Sequence, residues 1–214
     1  MKSENKKRFL DELDSLFPDA RCELNHSNPL ELLVAVILSA QTTDASVNKV
    51  TPTLFEKYHT AQDYANASLE DLEAAIHKIG LYRNKARSIK KMAQRLVDEF
   101  DGEVPEDMDQ LISLPGVGIK TANVVRAVAF NYPSIAVDTH VARIAKRLGY
   151  ADRDDPVLII EENLEKAFPK ERWIKLHHQL IFFGRYHCKA KRPECKKCHL
   201  VDICLEENKN LTQG

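Results

Sequence analysis

The sequence predicts an all-α protein. In almost every regular segment, apolar residues recur at intervals of three and four, which is the spacing of one face of an α-helix. No segment alternates apolar and polar residues in the way that a half-buried strand does. The connections between the periodic segments are short and polar, so we expect helices joined by short links throughout.

The first predicted helices lie before residue 101. Residues 29–43 form a long apolar segment. A second helix follows Ser68, a suitable N-cap, and ends at Gly80, which suits the residue after a helix. Residues 84–100 form a third helix on the apolar repeat of Ala86, Ile89, Ala93, Leu96 and Val97.

Three further helices are predicted near the C-terminal end. Residues 139–150 have an amphipathic repeat that stops at Gly149. Residues 154–169 begin with an acidic first turn and a proline, as helix N-termini do. Residues 172–188 are amphipathic and end near Gly184.

The composition is that of an ordinary globular chain. Its 214 residues allow one large domain or two small ones, with 43% hydrophobic and 29% charged residues. Acidic residues interrupt the N-terminal segment, where a signal peptide needs an apolar stretch. The longest apolar run, residues 32–38, is too short to span a membrane. We expect a cytoplasmic protein whose five cysteines form no disulfides.

Charges are segregated along the chain although the net charge is only −1. Residues 74–97 contain cations and no carboxylate, residues 110–151 contain a single carboxylate, Asp138, and residues 185–197 hold six cations. Acids collect in residues 98–109 and 152–171. This segregation predicts a basic face that binds a polyanion, with solvated helix faces as the alternative.

The segment LPGVGIK, residues 114–120, is a compact turn before a helix that begins near Ile119. Gly116 and Gly118, on either side of Val117, allow positive φ and leave no Cβ in the way of an approaching group. The first N–H groups of the helix can hold a phosphate. A sharp corner between two helices would explain the glycines equally well.

Four cysteines near the C-terminus, Cys188, Cys195, Cys198 and Cys204, are separated by six, two and five residues. Four thiolates so close in sequence predict one metal centre. Zinc suits the ligand type, and the spacing is not a ferredoxin pattern. Histidines 187 and 199 are surplus to a four-cysteine site, and Cys22 lies far from it in sequence.

Several of these segments together resemble the endonuclease III family, the bifunctional DNA glycosylases and abasic-site lyases of base-excision repair. LPGVGIKTANVV is similar to the family's helix–hairpin–helix motif, and IAVDTHVARIAKRLG to the segment that carries its catalytic aspartate. LLVAVILSAQTTD, IGLYRNKA and the cysteine spacing also match. The resemblance runs from about Leu10 to Cys204.

The resemblance implies a two-domain helix–hairpin–helix DNA glycosylase fold with a DNA-binding cleft between the domains. One domain would comprise residues 24–132 and contain the hairpin. The other would comprise residues 1–23 and 133–214 and end in the cysteine loop. In this family the four cysteines hold a 4Fe–4S cluster.

The resemblance makes Lys120 the nucleophile; on the motif alone we would assign it a phosphate contact. The helix N-terminus, nearby cations and a partly desolvated groove would favour its neutral amine. Lys85 is the rival, because residues 80–86 repeat the hairpin pattern weakly. Asp138 is an N-cap by its position, and the resemblance adds a catalytic role.

The resemblance also assigns residues that contact DNA. Leu81 would be a wedge in the duplex and Gln41 would fill the space opposite the orphaned base, although the sequence alone predicts a core leucine and a helix-surface glutamine. Lys191 and Arg192 lie in the loop KAKRPE, between two cysteines, and are predicted to contact phosphates. Asp44 and His140 are expected near the cleft.

The function implied is removal of damaged bases, expected to be oxidised pyrimidines, from double-stranded DNA, followed by cleavage at the abasic site. We expect the protein to act as a monomer. One alternative is an adenine-mismatch glycosylase without lyase activity, which Lys120 and the chain end ten residues after Cys204 disfavour. The other is a non-catalytic DNA-binding module, which would leave the pair of Lys120 and Asp138 unexplained.

Overall fold

The computed structural model describes residues 3–211, and these residues form helices and no strand, so the all-α prediction is confirmed. The α-helices, numbered in chain order, are α1 Ser3–Leu16, α2 Pro29–Ser39, α3 Asp44–Val47, α4 Thr51–Lys57, α5 Ala61–Asn66, α6 Leu69–Ala75, α7 Tyr82–Glu99, α8 Met108–Ser113, α9 Ile119–Phe130, α10 Thr139–Arg147, α11 Val157–Ala167 and α12 Trp173–Phe182. A π-helical turn, Phe183–His187, continues α12, and short 3-10 turns span Lys170–Arg172 and Cys195–Lys197.

The described chain divides into two compact units. One is continuous, Glu23–Tyr132, and the other combines residues 3–22 with residues 133–211. Residues 1, 2 and 212–214, which the sequence analysis assigns to the second domain, lie outside the described residues. None of the described helices is long and apolar enough to cross a membrane.

The unit Glu23–Tyr132 is built around α2. Asn28 caps this helix with its side chain, and every residue from Leu32 to Leu38 is at most 8% exposed. Such a helix is apolar on all sides and must be surrounded. It packs against α7 and α9, while α5 packs along α7.

The unit formed by the two ends of the chain has an aromatic core. Phe9 and Leu13 of α1 are fully buried among residues of the C-terminal helices. The ring of Phe9 lies 5.9 Å from Tyr150, 6.1 Å from Phe168 and 6.3 Å from Phe183, measured between centroids. The N-terminal helix is therefore an integral part of a unit that is otherwise made from the last third of the chain.

Several predicted boundaries differ from the structure. α2 ends at Ser39 and does not continue to residue 43. Ser68 caps α6 as predicted, but that helix ends at Ala75, five residues before Gly80. The short helices α3, α4, α5 and α8 were not predicted, because four to seven residues give too little periodicity to recognise.

Candidate active site

The hairpin comprises α8, the turn of residues 114–118, and α9. Leu114 and Val117 are 2% and 6% exposed, and the Val117 N–H donates to the Leu114 carbonyl (3.1 Å). These two side chains anchor the turn in the core, so any contact of Val117 with DNA would use its backbone. Gly118 is the N-cap residue of α9 and supplies no side-chain cap.

The two hairpin glycines have different conformations, which corrects the expectation of positive φ at both. Gly116 has φ of +82°, and a Cβ there would lie 2.8 Å from Cβ of Ser88 on α7. Gly118 has an extended backbone, φ −100° and ψ 176°, and no atom of residues 3–211 outside its own neighbours lies within 4 Å of a Cβ built on it. Gly116 therefore serves the fold, while the space beside Gly118 is open.

Lys120 is the second residue of α9 and is exposed to solvent. The fold supplies no burial for this lysine, so the partly desolvated groove expected around it is not provided by its own hairpin. Its accessibility suits a group that must reach a substrate.

Asp138 is the N-cap of α10, as predicted. Its Oδ1 accepts hydrogen bonds from the N–H groups of His140 and Val141, both 2.8 Å. Both bonds use one oxygen, and they fix the carboxylate at the start of the helix.

The first turn of α10 is held by close packing and by an arginine. A Cβ on Gly184 would lie 2.7 Å from Cβ of His140, so only glycine allows this approach. Arg143 Nη2 donates to the carbonyls of Gly184 (2.8 Å) and Cys188 (3.1 Å). The helix that begins at Asp138 is thus bound to the start of the cysteine loop.

Leu81 and Gln41 share an unusual backbone. Their φ angles are 58° and 55°, the left-handed region that residues other than glycine seldom adopt. Leu81 precedes α7 and is 57% exposed, which contradicts the core position expected from sequence alone. Gln41 is exposed in the turn after α2. The sequence alone predicted a position on the surface of a helix, and that prediction is wrong.

Lys85 is not available as the rival nucleophile. It is 5% exposed, and its Nζ donates to the carbonyls of Leu38 (2.8 Å) and Ala40 (2.6 Å) and to Thr42 Oγ1 (2.9 Å). Burial lowers the pKa of this lysine, but all three protons of its ammonium group have acceptors.

The predicted basic face is smaller than the sequence suggested, because several cations bind the protein itself. Lys90 Nζ donates to the carbonyls of Ala65 and Ala67, both 2.6 Å. Arg126 lies 3.6 Å from the centroid of the Tyr132 ring. The exposed cations of residues 74–97 are Lys78, Arg83, Arg87 and Lys91.

The four cysteines Cys188, Cys195, Cys198 and Cys204 line one cavity and form no disulfide. Burial raises the pKa of Cys188 and raises that of Cys198 to about 11. Glu12, His187 and Cys198 also place potential ligand atoms within 4.8 Å of one another.

Two further residues fit a sulfur-rich metal group in this cavity. Arg147 Nη1 lies 3.3 Å from Sγ of Cys188, as a donor to a thiolate would. His187 lines the cavity, and its Nε2 is buried without a hydrogen-bond partner in the described part of the chain. Arg147 was not predicted to lie at this site; its only signal in the sequence is its position one helical turn after Arg143.

The loop of residues 189–194 is closed by its own contacts. The Glu194 N–H donates to the His187 carbonyl (3.0 Å), and Lys189 forms an ion pair with Glu194 (2.9 Å). Lys191 and Arg192 are exposed at the tip. Protein contacts therefore hold this loop in addition to any metal.

The fold and the hairpin together define a class of DNA repair protein. Residues 34–170 match the family model of HhH-GPD superfamily base excision DNA repair proteins.

Individual relatives narrow this class. Endonuclease III of Bacillus subtilis (strain 168) is 55% identical over 205 residues, which cover 96% of this chain and 94% of that protein. Endonuclease III of Escherichia coli (strain K12) is 45% identical over 192 residues, 90% of each chain. A solved structure of a trapped endonuclease III–DNA covalent intermediate in an estranged-adenine complex is 58% identical. Its TM-score is 0.91, and the match covers 96% of this chain and 97% of that one. The chain belongs to the endonuclease III family.

Proposed function

We propose that Lys120 is the nucleophile with which this protein, a bifunctional DNA N-glycosylase and abasic-site lyase of base-excision repair, acts on damaged duplex DNA. One observation carries the assignment: Lys120 is an exposed lysine at the N-terminus of the hairpin helix. A covalent protein–DNA intermediate has been trapped in a relative of 58% identity, as a nucleophilic side chain requires.

The proposed reaction has two stages. The neutral amine of Lys120 attacks C1′ of the deoxyribose, the bond to the base breaks, and the base leaves with the electron pair. The nitrogen then loses a proton, and its lone pair expels O4′, which takes up a proton as the sugar ring opens and an iminium forms at C1′. The resulting iminium acidifies the C2′ proton, whose removal expels the 3′ phosphate by β-elimination. Water then releases the sugar remnant and restores the lysine. DNA lying over the hairpin would exclude bulk water from the reacting groups.

Asp138 is proposed to support this chemistry as a carboxylate. Two N–H donors hold Oδ1 and fix the carboxyl group at the start of α10. An ionised group can stabilise positive charge that develops on the sugar and accept a proton from the lysine or its products.

Recognition of the duplex is assigned to the turns. The open space at Gly118 and the N–H groups at the start of α9 would bind a phosphate. Leu81 and Gln41 would enter the duplex when the target nucleotide is turned out. Lys191 and Arg192, exposed at the tip of their loop, would contact phosphates on the DNA.

The cysteine cavity is proposed to hold a 4Fe–4S cluster bound by Cys188, Cys195, Cys198 and Cys204. Such a cluster, when bound, contributes folding energy and holds the loop. Arg147 would donate to the sulfur of Cys188, and the sulfides of a cluster would offer acceptors to His187. Oxidised pyrimidines as the preferred lesions, action as a monomer and a cytoplasmic location stay predictions from the sequence.

Borohydride trapping tests the assignment of the nucleophile. Duplex DNA with one abasic site, incubated with the protein and borohydride, should give a covalent adduct that peptide mapping assigns to Lys120. The variant Lys120→Ala should lose the adduct and still bind the duplex. Lys91→Ala, which removes an exposed lysine of α7, is the control and should be trapped normally. An adduct that persists in Lys120→Ala would contradict the proposal.

A further inference from the structure

Lys85 joins two turns that the proposed function places in the DNA. It lies in the first turn of α7, where its N–H donates to the Leu81 carbonyl (3.1 Å). Its ammonium group crosses to the end of α2 and binds the residues on both sides of Gln41, namely Ala40 and Thr42. A single buried side chain therefore connects the turn of Leu81 with the turn of Gln41.

Both connected turns are strained. A non-glycine residue in the left-handed region carries backbone strain, and such conformations persist only where the surroundings enforce them. Leu81 and Gln41 both adopt this conformation and both are exposed, so their own side chains contribute little to holding it. The three side-chain hydrogen bonds of Lys85 tie the segment around Gln41 to the first turn of α7, which follows Leu81.

The same helix offers a comparison. Lys90 also donates to two carbonyls at the end of a helix, those of Ala65 and Ala67. The residue between them, Asn66, is the last residue of α5 and has ordinary backbone angles. Two lysines of α7 thus bind carbonyl groups at the end of another helix. Lys85 differs from Lys90 because the turn that it binds contains a residue in the left-handed conformation.

We propose that Lys85 is a positioning residue for nucleotide extrusion, holding Leu81 and Gln41 in the mutual arrangement with which they enter the duplex. This inference rests on the proposed function, because it takes from there the roles of Leu81 and Gln41. Because Lys85 is buried, this role requires no contact of Lys85 with DNA or with the reacting atoms.

The test compares Lys85→Met with Lys90→Met. Each variant keeps an unbranched side chain, one heavy atom shorter than lysine, and removes the ammonium group that donates the hydrogen bonds. Both are assayed below the unfolding midpoint of the less stable variant. The substrates are a duplex with an oxidised pyrimidine, a duplex with an abasic site, and a single strand with an abasic site. Because the single strand needs no extrusion, cleavage of it reports on the chemical steps without nucleotide extrusion.

Lys85→Met should reduce activity on both duplexes by about 10- to 100-fold, the loss typical of small misplacements. It should leave cleavage of the single strand unchanged. Fluorescence of 2-aminopurine placed opposite an abasic analogue should show that the variant no longer disturbs the orphaned base. Lys90→Met should match the wild-type protein in all these assays.

Equal losses in the two variants would overturn the proposal, since Lys85 would then be structural only. An equal loss on duplex and single strand would also overturn it, because Lys85 would then act on the chemistry. If Lys85→Met does not fold, Thr42→Val replaces it; this variant removes one acceptor and should show the same duplex-specific loss, and its absence would contradict the inference. Failure of the proposed function is recognised separately, by wild-type protein that forms no imine with the single strand.

Discussion

At the scale of single residues, the hairpin separates the demands of folding from those of binding. Gly116 is required by its positive φ and by the closeness of Ser88. Gly118 has neither constraint, so the protein itself would accept a side chain there. If flexibility alone mattered, the two glycines would have the same role. Their backbone angles show that their roles differ.

Alanine at each position should therefore give opposite results. Gly116→Ala should lower the free energy of unfolding by about 2 kcal/mol or more, since it adds left-handed strain and a clash. Gly118→Ala should leave stability within about 0.5 kcal/mol and weaken DNA binding, because the added methyl group obstructs the phosphate. Chemical denaturation and a binding titration measure the two effects. A Gly118→Ala variant that binds normally would remove this glycine from the interface.

Asp138 carries a structural and a proposed catalytic role that two variants can separate. Asp138→Asn keeps an N-cap and should retain stability, whereas Asp138→Ala should lose about 1 kcal/mol. Both should lose most of their turnover if the charge of the carboxylate is needed, with little change in DNA affinity. Normal turnover in Asp138→Asn would show that Asp138 acts only as the N-cap of α10.

The sequence predicted the structural role of Asp138 but not that of Lys85. Asp138 stood out as a lone carboxylate before a helical repeat, and its cap is observed. The role of Lys85 was not predicted, although it occupies a core position in the repeat that continues through Ile89, Met92 and Leu96. From sequence alone, a lysine at such a position is predicted to lie on the surface. The groups that accept its hydrogen bonds lie in a segment distant in sequence, so the pattern around the lysine does not reveal them.

At the scale of the helices, α10 connects the proposed catalytic carboxylate to the cysteine cavity. Its N-terminus is Asp138, and Arg143 and Arg147 on its later turns bind the backbone and sulfur of Cys188. The amphipathic repeat predicted this helix correctly, with an end at Arg147 close to the expected Gly149. The direction of its arginines could not be predicted, since it depends on where the cysteine loop returns.

The neighbouring helix α12 makes this unit sensitive to acid. Burial lowers the pKa of His178 to about 4, from an ordinary value of 6.5. Between these values the unfolded chain binds a proton that the folded protein does not. The contribution of His178 to stability is therefore complete above pH 6.5 and is lost as the pH falls toward 4, at up to about 1.4 kcal/mol per pH unit.

Replacing His178 should reduce this pH dependence. His178→Gln should show a smaller fall in unfolding free energy between pH 7 and pH 5 than the wild-type protein does. His77→Gln, which changes an exposed histidine of the other unit, should keep the wild-type fall. Urea titrations at several pH values provide the comparison, and identical slopes for His178→Gln and the wild-type protein would refute the assignment.

At the scale of the whole molecule, the net charge is only −1, but the cationic side chains fall into two groups. Lys85, Lys90, Arg143 and Arg147 bind backbone or sulfur inside their own units. Those at loop tips and on the outer face of α7 remain exposed. Segregation along the sequence predicted polyanion binding, but it could not distinguish inward cations from outward ones.

DNA binding should depend strongly on salt, since exposed cations release counterions from phosphates. Lys191→Ala and Arg192→Ala should each reduce the slope of log affinity against log salt by about 1 and weaken binding to all sequences alike. Lys166→Ala should not change the slope, since Lys166 is already paired with Glu162. An affinity that does not vary with salt would contradict a phosphate-binding surface.

The discontinuous unit has a consequence for biosynthesis. The unit Glu23–Tyr132 is complete as soon as its own residues have left the ribosome. The apolar face of α1, with Phe9 and Leu13, emerges first, but its partners extend from Ile135 to Leu200. At the usual rates of translation, α1 waits on the order of ten seconds or more with that face uncovered. Chaperones should therefore bind the nascent chain at α1. The cysteine loop is synthesised after the other elements that pack against α1, and its arrival completes this unit.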